Sequence, residues 1–305
     1  MTRHFPFLFA SLLVATAVGA ANATEKPARH ALVHRHGWMA PDANPKHAWL
    51  YVAGQNQSVV AIYDLEIIGA PQIGAITDGI STPFGLALDA SGTLYVANPS
   101  GTVTIYPAGA TAPSLTLSQG LISPVGIAVD TNNDVYVGNQ GSSPSIQVFA
   151  QGQTTPYRTI TNTLIVHPGP ITFDTHRNLF IVDNTNGIAE EPFGSQVLAF
   201  LGLQGLGYPS AIAVDPFDGD IYVSDISSKH DTLIFPPGHT TATRKIKGVS
   251  ADFFAIGKIR GTTYLFGPCS PCNNLDVIKF PRTLLAVLGS QTFPQGVAVK
   301  PAGVP

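Results

Sequence analysis

Charge is scarce in this chain. Of 305 residues, 11% are Asp, Glu, Lys or Arg, and the net charge is −3. No basic patch or strong positive balance points to a nucleic-acid partner. A disordered chain usually has high charge and low hydrophobicity, whereas 44% of these residues are apolar. Cysteine is nearly absent: Cys269 and Cys272 are the two present, so a disulfide-built mini-fold is excluded. Also missing are a Ser nucleophile elbow, a phosphate-cradling P-loop and an H-E-x-x-H metal motif.

Glycine and proline are plentiful instead, at 30 and 25 residues. That punctuation suits short strands joined by tight turns. Aromatics recur with it, at Tyr51, Tyr95, Tyr136, Phe180, Tyr222 and Tyr264, with spacings of 44, 41, 44, 42 and 42 residues. A repeat of about 42 residues made of short strands is the mark of a β-propeller. Each unit opens with an apolar run, as in PFGLALD at 83–89 and PVGIAVD at 124–130. A turn follows, then a strand such as LYVAN at 94–98. A third strand is expected to end in an aromatic: Tyr63, Tyr106, Phe149, Phe200, Phe235 and Phe280.

The chain ends complement each other. The first unit, residues 47–77, lacks an opening strand, while PQGVAV at 294–299 is an opening strand without a unit. Joined, they complete one blade. The expected fold is therefore all-β: a six-bladed β-propeller of four-stranded blades over residues 47–305. Its ring would close by the C-terminal first strand joining the N-terminal second, third and fourth strands, which removes two raw sheet edges. Residues 1–23 read as a signal peptide, with a short basic start, an apolar stretch to Gly19 and an A-x-A site at 21–23. That stretch is too short for a good membrane span. The reading predicts an exported protein, periplasmic or extracellular, with no membrane span after cleavage, and a monomer. Residues 24–46 read as a loosely docked extension. It carries His30, His34 and His36, with His47 just beyond, a cluster of metal-ligand type.

These units resemble the NHL-repeat and gluconolactonase-like six-bladed propellers. The shared phrase is P-x-G-[LIV]-A-[LV]-D followed by [LVI]-Y-V-[AGS]-[ND], over residues 47–300. The family includes lactonases, lyases and interaction modules, so the fold alone does not select among them. In the metal-dependent lactonases and the streptogramin lyases, the x of P-x-G faces the central channel and supplies metal or catalytic ligands. Here the channel-lining x positions are Phe84, Val125, Gly169, Ser210, Asp252 and Gln295, with one carboxylate among them. A hard cation wants several converging oxygens. The resemblance therefore implies a non-enzymatic binding or interaction module using its loop-rich channel face, with no catalytic residues assigned. The alternative is a metal-dependent lactonase-like hydrolase or a streptogramin-lyase-like enzyme acting through Asp252.

Asp89, Asp130, Asp174 and Asp215 recur at hairpin starts and read as turn acceptors. The exits of the second strands carry Asn98, Asn139, Asp183, Asn184 and Asp225. The longest interval between second- and third-strand aromatics falls in the fourth unit and adds Glu190 and Glu191. An acidic ligand-binding patch of Asp183, Asn184, Glu190, Glu191, Asp225 and Asp252 is thus expected, able in principle to hold calcium. No other cofactor is implied. Its partner would be an unknown protein, glycan or small ligand. Cys269 and Cys272, in C-S-P-C between two strands, read as a local disulfide, with redox and zinc readings as the alternatives.

Overall fold

The computed structural model describes residues 36–67, 70–227, 230–269, 274–279, 283–289 and 294–300. They form an all-β propeller with four-stranded blades. Five sheets have four strands each and one has five. Numbered in chain order, sheet one runs through Trp38–Met39, Gln72–Ile76, Val59–Asp64, Trp49–Gly54 and Pro294–Lys300. Sheets two to six each take four consecutive antiparallel strands, called a to d below.

The C-terminal strand Pro294–Lys300 pairs antiparallel with Trp49–Gly54, with Tyr51 opposite Ala298. It is buried along its length. Lys300 is buried with it, and burial holds its ammonium below the ordinary value. Its Nζ donates to the Pro45 carbonyl and lies 4.4 Å above the Trp49 ring. This sheet departs from four strands because Trp38–Met39, expected in a loose extension, pairs with Gly74 and Ala75. His36 and His47 do not cluster either. His47 Nδ1 lies 2.8 Å from Asp64 Oδ2, and His36 Nδ1 is 3.6 Å from Asp78 Oδ1. The signal segment, His30, His34 and Cys272 lie outside the described residues, as does Phe280.

The recurring aromatic sits mid-strand b and packs between sheets. Tyr136 meets Phe173 of the next blade edge-on, with ring centroids 5.1 Å apart. The third-strand aromatics Tyr106, Phe149 and Phe235 are fully buried. Blade four breaks the expected pattern. Its strand c is Gly187–Glu191, and Phe200 belongs to a two-residue strand d, Ala199–Phe200. The long aromatic interval is therefore an extended loop between strands c and d, not between b and c. The recurring aspartates cap the a–b turns: Asp130 Oδ1 accepts from Asn132 N and Asp134 N at 2.8 and 2.9 Å, and Asp174 Oδ1 from His176 N and Asn178 N. Burial alone would raise the Asp89 carboxyl, but bonds from Ser91 and Thr93 outweigh it and lower its pKa.

Candidate functional site

The glycine of P-x-G explains how the first strands come together. A Cβ at Gly85 would strike the Val125 carbonyl, one at Gly126 the Gly169 carbonyl, and one at Gly296 the Phe84 carbonyl. Each glycine lets one strand a approach the backbone of the next. Gly85 N uses that approach to donate to Val125 O at 2.9 Å. The residue before each of these glycines, and its counterpart before Pro170, Ala211 and Phe253, turns inward. Phe84, Val125, Gly169, Ser210, Asp252 and Gln295 consequently line one cavity of about 300 Å³ at the axis.

Residues just after the strand b exits complete this mouth: Pro99, Gln140, Asn184 and Ile226. Two of them bridge blades. Gln140 Nε2 donates to Pro168 O at 3.2 Å, and Asn184 Nδ2 to Pro209 O at 2.7 Å. Ser210 Oγ does the same toward Ala251 O at 2.7 Å. Much of the mouth's polar equipment therefore holds the blades in register.

The exit residues themselves perform a second structural task. Asn98 accepts from Ser81 N, and Asn139 from Ile122 N and Ser123 N. Asp183 accepts from Val166 N and His167 N, each at 2.8 Å, and Asp225 from Gly207 N and Tyr208 N. In every case the donor is the loop leading into the same blade's strand a. For Asp225, burial pulls the pKa up, yet bonds from Ser227, Gly207 and Tyr208 bring it below the ordinary value. An asparagine or an ionised aspartate here is a loop clamp. The spacing of about 17 residues between clamp and loop was the signal for it.

The clamped loops display apolar side chains beside the mouth: Ile122 is 52% exposed, Leu164 50% and Tyr208 47%. The sequence reading missed these three, since a lone loop hydrophobe carries no pattern.

The expected acidic patch does not assemble. Glu190 and Glu191 lie on strand c opposite Phe180 and Leu179, whereas Asp183 pairs with Gly187 at the other end of that hairpin. Asp183 and Asp225 are spent as clamps, and Asp252 stands at the mouth. Glu191 binds Arg158 of blade three, whose Nη2 lies 2.7 and 2.8 Å from its two oxygens. Among the described residues no group of three or more His, Cys, Asp or Glu side chains is arranged to hold a metal ion. Cys269 ends strand b of blade six, with Asn274 opposite. No helix among the described residues is long and apolar enough to cross a membrane.

No family model matches the chain, and no curated protein matches it. Among solved structures, one described as "Crystal structure of Nidogen/Laminin Complex" is similar, with a TM-score of 0.68 and 18% identity. The match covers 83% of this chain and 98% of that one. At that identity the likeness shows the β-propeller fold, and it leaves the NHL-repeat resemblance to the sequence phrases alone.

Proposed function

We propose that this is an exported, non-enzymatic binding module that takes a protein partner on its channel-mouth face. One observation carries the reading: Ile122, Leu164 and Tyr208 are exposed on loops that are themselves fixed by Asn139, Asp183 and Asp225. Apolar anchors held on a rigid frame bind without a large ordering cost. Tyrosine is among the residue types enriched at interface hot spots, and the flanking apolar contacts would keep water from it. The single carboxylate among the six x positions, Asp252, supplies no acid–base pair for the lactonase or lyase alternative. The similar propeller named above comes from a nidogen–laminin complex, which supports partner binding as a use of this fold. The export segment supports a periplasmic or extracellular setting. We further infer a six-bladed ring, with the pairing of Pro294–Lys300 on Trp49–Gly54 as its seal.

The test uses immobilised protein begun at residue 24, exposed to the secreted fraction of the producing cells. A second column carries the variant Ile122→Ser, Leu164→Ser, Tyr208→Ser. A partner retained by the first column and lost from the second, at equal melting temperatures, supports the reading. Equal retention on both columns overturns it.

A further inference from the structure

The face opposite the mouth carries two clefts made from the same parts of the repeat. One lies between blades three and four, encloses about 290 Å³ and is filled with arginine. Arg158 holds Glu191 with both carboxylate oxygens in reach. Arg177 stands 3.6 Å from Asp130, with its guanidinium 4.1 Å over the Phe193 ring. The other lies between blades four and five and encloses about 450 Å³. Its volume falls in the ~300–1,000 Å³ span of small-molecule sites. Leu201, Leu203, Val214 and Ile221 wall it, and Phe217, 72% exposed, stands at its rim.

Sheet register shows what the second cleft is missing. Arg158 pairs with Val148, which pairs with the repeat aromatic Tyr136. One blade later, Phe180 pairs with Glu190, which pairs with Ala199. Ala199 therefore occupies the position of Arg158. Arg177 holds the positive-φ corner of its a–b turn (φ 69°) and donates its N–H to Asp174 O. One blade later the a–b turn is one residue longer, and Gly219 holds its positive-φ corner (φ 76°), donating to Asp215 O. Both arginines have been replaced by residues without a side-chain charge.

Of their two partners, Asp130 is matched one blade later by Asp174, whereas Phe235 stands where Glu191 does, and Glu190 is a carboxylate where blade three has Val148. Asp174, Glu190, Asp215 and Asp218 line the second cleft with His176 and His239, and no lysine or arginine is among its lining residues. Asp174 is satisfied by its turn, and by Asn178 Nδ2 at 2.9 Å. Glu190 meets no hydrogen-bond donor or cation among the described residues, and burial, then the nearby Asp174, raises its pKa. Asp215 accepts from Phe217 N at 2.8 Å, yet burial first, with Asp218 adding to it, leaves its pKa raised.

We propose that the cleft between blades four and five is a binding site for a small organic cation, an alkyl chain ended by a guanidinium or ammonium. The charge would enter a cleft that at the preceding junction is filled by Arg158 and Arg177, and would bond to Glu190 and Asp215. The alkyl part would lie along Leu201, Leu203 and Ile221. The apolar wall calls for a carbon chain, which a bare metal ion lacks, and Glu190, without a partner among the described residues, calls for a positive head.

The test is calorimetric titration of the full chain with butylguanidinium, against butylurea, its neutral isostere. Butylguanidinium is expected to bind at least about tenfold more tightly than butylurea. Glu190→Gln should lose about tenfold in affinity. Ala199→Arg, an exposed position, should abolish binding by supplying the arginine internally, with the melting temperature showing that the fold is intact. Equal binding of the two probes, or unchanged butylguanidinium binding by a folded Ala199→Arg variant, overturns the proposal. A blocked Gly-Arg-Gly peptide that binds more than about tenfold tighter than butylguanidinium assigns the cleft to a partner's arginine and overturns the small-molecule assignment.

Discussion

Between blades three and four, Arg158 and Arg177 lie among Asp130, Asp134 and Glu191. Between blades four and five, Ala199 and Gly219 stand in their places beside Asp174, Glu190, Asp215 and Asp218. An aspartate opens the a–b turn on each side of both junctions, accepting backbone N–H bonds within the turn. A junction of this repeat can thus be sealed by charge pairs from within or left with carboxylates that burial makes costly to ionise. The first arrangement is a structural latch. The second has the electrostatics of a receptor.

The largest effect bears on what holds the junctions together. Deleting residues 294–305 removes a fully buried strand and the partner of Trp49–Gly54. Cooperative thermal unfolding is expected to disappear, and a variant that melts like the full chain would refute the ring-closure reading. Next comes conversion of the sealed junction into an open one by Arg158→Ala with Arg177→Gly. Leaving Glu191 buried without its partner should cost about 3 kcal/mol. Millimolar butylguanidinium should restore part of the lost melting temperature in this variant, through binding to the folded state alone, and butylurea should not. Absence of that rescue would mean that the two junctions differ in more than their arginines.

The smallest effect has the opposite sign. The pKa of Glu190 is raised in the fold above its ordinary 4.5 by burial and then by Asp174. Its ionisation is thus disfavoured by folding, so the stability present at low pH is lost as pH rises through the folded value. Glu190→Gln should therefore melt slightly higher than wild type at pH 7, with the gain vanishing as pH drops below about 4.5. Added butylguanidinium should reverse the pH 7 ordering. A variant that melts lower at neutral pH without ligand would show that Glu190 has a stabilising partner.

Much of the scaffold was legible from residue types at fixed spacing. P-x-G marks positions where backbones touch and recurs in three of the six first strands, while the strand b aromatics mark where rings pack between sheets and recur in all six units. Gly85, Gly126 and Gly296 show the demand directly, since a Cβ at each would overlap a neighbouring carbonyl. Blade four was misread because Phe200 looks like a strand c terminus while Glu191 holds that position. There a salt bridge to Arg158 replaces the usual buried aromatic, and no single-strand pattern encodes a bond to the previous blade. Asp183 and Asp225 looked like ligands because a loop clamp and a binding residue use the same side chain. The missing arginines were invisible for a related reason: Ala199 and Gly219 are unremarked in one dimension and become informative only when sheet register aligns them with Arg158 and Arg177.

The comparison of the junctions is tested most directly by mapping amide chemical shifts of the full chain during butylguanidinium titration. The account predicts saturable shifts clustered at Glu190, Leu201, Asp215 and Phe217, with the amides around Arg158 and Glu191 unmoved. Shifts spread over exposed carboxylates, or centred on the arginine-sealed junction, would contradict it.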